Sequence, residues 1–260
     1  MNSIDRNMLS RRFKLRGKRF ISERLAKSPR INVHFAMTDH LHIRFAAQDF
    51  PVLALIDEAF NRAYGYVMDW FGCGSDNNMV FDLWMAPEVV DLQYMTCLPC
   101  DETFFCAPGV QSGMHVILFV SPQFCQQNAD KDRLSGILAH EITHHVVRDI
   151  SHASVFSMKR RENLDVPMWL EEGLCLFIES EFYPTIRKKR AEEIAKRSKW
   201  YDLDVLWNDL SACDDPETAY LQAYKETRKL IKTKGKEGIV RLLHQNRTHS
   251  VIWNDLPGKE

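Results

Sequence analysis

The stretch Ile137-Leu138-Ala139-His140-Glu141-Ile142-Thr143-His144-His145 lies just past the middle of a 260-residue chain. Its apolar residues, continued by Leu134, Val146 and Val147, recur at helical spacing and predict a helix over residues 134–148. On a helix, residues four apart project from one face, so the imidazoles of His140 and His144 can both reach one Zn²⁺ at about 2.0–2.1 Å. Glu141 is next to that face. It is too far round to be an equivalent ligand, but it is placed to take a proton from metal-bound water. A catalytic zinc centre also needs a third protein ligand and an open fourth position, so the stretch downstream matters.

The immediate continuation, His145-Val-Val-Arg-Asp-Ile-Ser-His152, lacks the H-E-x-x-H-x-x-G-x-x-H form: His152 is displaced and no Gly precedes it. Further on comes Val166-Pro-Met-Trp-Leu-Glu-Glu-Gly-Leu174, in which Pro167 is suited to opening a helix and Glu172 follows His144 by 28 residues. H-E-x-x-H followed at a distance by W-L-x-E-G resembles the gluzincins, the thermolysin-like and aminopeptidase-like zinc peptidases. The resemblance implies His140, His144 and Glu172 as ligands of one catalytic Zn²⁺, with Glu141 as general base. It extends to Ala219-Tyr220-Leu-Gln222-Ala223-Tyr224, where it gives Tyr220 the role of oxyanion donor, with Tyr224 a competitor one turn away. It further implies that the strand at Met114–Val120 forms the sheet edge along which a peptide substrate lies extended.

The chain departs from the family pattern in four places, one of which is that Gln222 and Ala223 stand where Lys and Gly are common after the Tyr. No Gly-Ala-Met-Glu-Asn segment is present to anchor a free N-terminus, which favours an endopeptidase over an aminopeptidase. Glu171 stands where Asn is common before the ligand Glu. The Asp that orients a ligand His has no clear match, because Asp149 is one residue out of register; Asp149 or a backbone carbonyl is expected to orient the ligands.

Alternating residues predict strands at 31–35 and 41–45, the second carrying His42 with His40 just before it; residues 79–85 read as another strand, and the apolar run Met114–Val120 as a fourth. A helix is expected over residues 51–71, closed by Gly72, and a long loop over residues 86–113. Helices at 134–148, Met168–Phe182, 184–198, 215–234 and 238–245 follow. Strands first and helices afterwards argue for an α+β fold. With the resemblance, the expectation is a zincin-like mixed β-sheet, N-terminal to and packed on a mostly helical C-terminal half, with the active-site helix between them. Residues 31–250 are then one peptidase domain, with a sheet-rich half over 31–122, a helical half over 123–250 and a tail over 251–260.

Charge and cysteine content bound the remaining classes. The net charge of −1 conceals ten basic residues against two acidic ones over residues 1–30. That arm offers a surface to nucleic acid or an anionic membrane; the plainer expectation is a solvated, partly disordered leader. No apolar run approaches the roughly 18–20 residues of a membrane span, and no secretory signal is visible, so a cytoplasmic protein is expected. Seven cysteines are then free thiols. Cys97, Cys100 and Cys106 raise the question of a second metal, although the second close pair of a zinc knuckle is missing. Two function classes follow: a zinc metallopeptidase hydrolysing peptide or protein substrates, or a latent or regulatory binding protein on a zinc-binding gluzincin scaffold. His145 and His152 are expected in solvent or in a substrate cleft.

Overall fold

A computed structural model of the chain describes residues 33–73, 79–86, 106–111, 114–120, 130–151, 166–183, 196, 200–207 and 209–246. The architecture is α+β, and the chain divides into two compact units, one holding the β-sheet and one the helices.

Among the described residues the sheet has five strands: β1 (Val33–Met37), β2 (Leu41–Ala46), β3 (Phe81–Ala86), β4 (Cys106–Gln111) and β5 (Met114–Val120), in the order β1-β2-β3-β5-β4. β1 pairs antiparallel with β2, and β2–β3 and β3–β5 are parallel. The period of two sends Leu41, Ile43, Phe45, Phe81, Leu83, Met85 and Ile117 into the core. The other face carries His42, Arg44, Asp82 and Trp84, where the buried Asp82 carboxylate is 3.4 Å from His42 and 3.6 Å from Arg44.

This order corrects the expectation that Met114–Val120 is a sheet edge, because β5 lies between β3 and β4. A near-continuous apolar run is what an interior strand next to a parallel neighbour requires. The edge on that side of the sheet is β4, within the segment expected to be a loop. Its sequence Cys-Ala-Pro-Gly-Val-Gln hides the period of two, and Pro108 is tolerated because an edge strand leaves some N–H positions unpaired. The rest of that segment, over 87–105 and 112–113, lies outside the described residues. So do the basic arm, Cys97, Cys100, His152 and all of the expected helix at 184–198 except Lys196.

In the helical unit, α1 (Leu53–Phe71) buries Ile56, Ala59, Phe60, Ala63, Val67 and Trp70 along one stripe. It ends as its sequence predicts. Gly72 has φ +68°, its N–H donates to Asp69 O, and Cys73 N–H reaches back to Met68 O, the paired bonds of a Schellman stop. α2 (Lys131–Ser151) starts three residues before the expected helix, because the Asp130 carboxylate accepts from Asp132 N–H at 2.8 Å and caps it.

α3 (Met168–Phe182) has the predicted limits. Its first four N–H groups are all satisfied: Met168 and Trp169 donate to the carbonyls of Trp207 and Leu206, and Leu170 and Glu171 donate to Pro167 O. α4 (Pro216–Asn246) begins on an Asp215 cap that accepts from Thr218 N–H at 3.2 Å, with Pro216 at the first helical position. It kinks at Gly235, whose φ of +71° separates the two helices expected from sequence.

α3 packs against both α2 and α4. The Gly of W-L-x-E-G explains one of those contacts. A Cβ built on Gly173 would meet Thr227 Oγ1 and lie 2.5 Å from the Ala223 carbonyl oxygen, so only glycine lets α4 approach this closely. Gln222, one of the residues differing from the family pattern, is buried and clamps the backbone of Tyr201: its oxygen accepts from Tyr201 N–H at 2.8 Å and its Nε2 donates to Tyr201 O at 2.6 Å.

Candidate metal centre

The site is built from two facing helices of the helical unit. α2 supplies His140, Glu141, His144 and Arg148, and α3 supplies Glu171, Glu172, Cys175 and Glu179. Their packing brings Glu172 Oε2 to 3.6 Å from His140 Nε2 and to 3.6 Å from His144 Nε2. That separation is too long for a hydrogen bond. It matches the spacing of donors around one tetrahedral ion, where bonds of about 2.0–2.2 Å put ligand atoms roughly 3.3–3.6 Å apart.

The other nitrogen of each ring is already engaged. His140 Nδ1 is 2.9 Å from Glu179 Oε2, and His144 Nδ1 is 2.7 Å from Glu171 Oε1. With both Nδ1 atoms donating to carboxylates, the two Nε2 lone pairs are left for an ion, the usual arrangement of ligand histidines. Arg148 fixes Glu171 in turn, donating from Nε at 3.0 Å and from its terminal nitrogen at 2.9 Å to the oxygen that His144 uses. Asp149, expected to orient a ligand, is exposed. Carboxylates of the facing helix do that work instead, because α3 lies against the ring edges whereas Asp149 points outward from α2.

Glu141 is buried, and its Oε2 has no hydrogen-bond partner among the described residues. A buried carboxylate oxygen without a partner is costly and points to a group that would occupy the space beside it. Burial pushes the Glu141 carboxyl up to about 7, against the pull of His140 and His144, which suits a base working near neutral pH. Burial opposes charge on His140, but Glu172 and Glu179 outweigh it and hold that imidazole up to about 10. Burial would likewise raise Glu172, yet His144 and His140 keep it below its ordinary value. Without an ion, the proton on His140 therefore balances part of the carboxylate charge.

A second donor competes with Glu172 for the third position. Cys175 Sγ and one nitrogen of each of His140 and His144 all lie within 4.8 Å of one another. Glu172 fits the third position better: it is ionised, it meets both Nε2 atoms at the same shorter distance, and burial together with nearby carboxylates holds the Cys175 thiol well above its ordinary range.

Of the residues predicted from sequence, His140, Glu141, His144 and Glu172 thus come together. Tyr220 is half-buried on α4, within about 20° of Thr227 on the helical wheel, the residue that touches Gly173. Tyr224 is also half-buried, with its hydroxyl 3.5 Å from Ser180 Oγ. His145, expected in solvent or a cleft, is buried. Glu179, Arg148 and Cys175 were not foreseen. The one sequence signal for two of them is the stripe Glu172, Cys175, Glu179, at i, i+3 and i+7 on one face of α3.

No family model matches this chain, and no curated protein matches it.

Proposed function

We propose that this chain is a zinc-dependent metallopeptidase of gluzincin type, more an endopeptidase than an aminopeptidase. The observation that carries the reading is the convergence of His140 Nε2 and His144 Nε2 on one Glu172 oxygen at 3.6 Å, while both Nδ1 atoms are held by other carboxylates. In this reading His140, His144 and Glu172 hold the ion. Bound there, zinc supplies Lewis acidity that makes water a nucleophile near neutral pH and polarises a peptide carbonyl.

The protein's own groups then move the protons. Glu141, whose Oε2 has no partner among the described residues, accepts a proton from the attacking water and passes it to the departing amine. Its elevated affinity for a proton serves both steps. Tyr220 donates to the oxyanion of the tetrahedral intermediate. Glu179 and Glu171, the latter fixed by Arg148, keep both ligand rings in the tautomer that faces the ion.

Incubation of the full-length protein with a mixed peptide library tests the proposal. Cleavage at internal bonds, abolished by a chelator and restored by one equivalent of zinc, is expected. Zinc uptake without any cleavage would instead support the binding or regulatory reading of the same scaffold.

A further inference from the structure

Cys175 is fully buried, is not in a disulfide, and lies one turn after Glu172 on α3. Most such thiols pack as small apolar groups. Cys175 differs in its surroundings, since its sulfur shares a space of at most 4.8 Å with a nitrogen from each of two histidines whose Nδ1 atoms are already bonded elsewhere. Of its neighbours on the α3 stripe, Glu172 has Oε2 3.6 Å from the Nε2 of both rings, and Glu179 holds His140 Nδ1 at 2.9 Å. The sulfur therefore lies on the same face of α3 as Glu172, the proposed third ligand, one turn further along. Glu141 Oε2, buried beside the same histidines and without a partner among the described residues, is an independent sign that the space around these donors is meant to be filled.

We propose that Cys175 is a fourth protein donor for the ion held by His140, His144 and Glu172, so that the resting centre is closed and latent until the sulfur gives way to water or substrate. The inference rests on the zinc reading above. Coordination breaks the S–H bond, forms a metal–sulfur bond and releases the proton to solvent, with no electron transferred. The 4.8 Å span exceeds the roughly 3.3–3.6 Å between donors of a tetrahedral site, so a side-chain movement of about 1 Å brings the sulfur in. A thiolate in the set also biases the centre towards Zn²⁺, Co²⁺ and other thiophilic ions over Mg²⁺ or Ca²⁺.

The test is the absorption spectrum of the full-length protein loaded with Co²⁺. The wild type is expected to show a near-ultraviolet sulfur-to-cobalt charge-transfer band. The band should vanish in Cys175→Ala and in Cys175→Ser, and persist when Cys97, Cys100 and Cys106 are all replaced by serine. Cobalt bound in the wild type without the band, or a band that survives both Cys175 substitutions, overturns the role of Cys175 and leaves the zinc reading standing. Failure to take up either cobalt or zinc overturns both.

Discussion

Glu141→Gln is expected to keep zinc at the wild-type stoichiometry and to lose peptide hydrolysis by about 10²–10⁴-fold, the range typical of a positioned general base. The amide has the size and shape of the carboxylate, so the packing between α2 and α3 is preserved. It cannot accept the proton of the attacking water. The substitution also removes a carboxyl group that is buried and lacks a partner at Oε2 among the described residues, so thermal stability should not fall. Steady-state cleavage kinetics with metal analysis of the same sample provide the measurement, and undiminished turnover in the zinc-loaded variant would sink the mechanism.

Gly173→Ala is expected to destabilise the fold by roughly 2–3 kcal/mol, the usual cost of overpacking a site that cannot relax. The new methyl would meet the Ala223 carbonyl oxygen at 2.5 Å, a backbone atom that moves only if α4 moves. Alanine's higher helix propensity offsets at most about 1 kcal/mol of that. Thermal unfolding should show a Tm lowered by roughly 5–10 °C. Gly65→Ala is the control: it is exposed on α1 with nothing within 4 Å of an added Cβ, so it should be neutral or slightly stabilising. Because Gly173 follows Glu172 directly, the clash would also disturb the third proposed ligand. An unchanged Tm in Gly173→Ala would mean that α3 and α4 are not packed as described.

These two residues differ in how far the sequence announces them. Glu141 lies within a local pattern, where the four-residue spacing of His140 and His144 fixes a shared face without reference to the rest of the fold. The limits of α3 and the stop at Gly72 are legible for the same reason, since caps and periodicity act within one element. What depends on the pairing of elements was not legible. Nothing in the order of residues says that Glu179 meets His140 or that Glu171 and Arg148 hold His144, because those contacts require the register of α2 against α3. The position of β5 inside the sheet depends in the same way on β4, whose Pro108 and Gly109 mask its strand character. Gln222 looked like a departure from a catalytic motif, but it is a clamp on Tyr201, a contact that exists only once α4 is in place.

The central claim is that His140, His144 and Glu172 hold a single zinc ion. Crystals of the zinc-loaded, full-length protein, measured on both sides of the zinc absorption edge, test it most directly. The account predicts one anomalous peak about 2.0–2.2 Å from His140 Nε2, His144 Nε2 and a Glu172 oxygen. Zinc found only elsewhere, for example among Cys97, Cys100 and Cys106, with these three side chains bare, would contradict it.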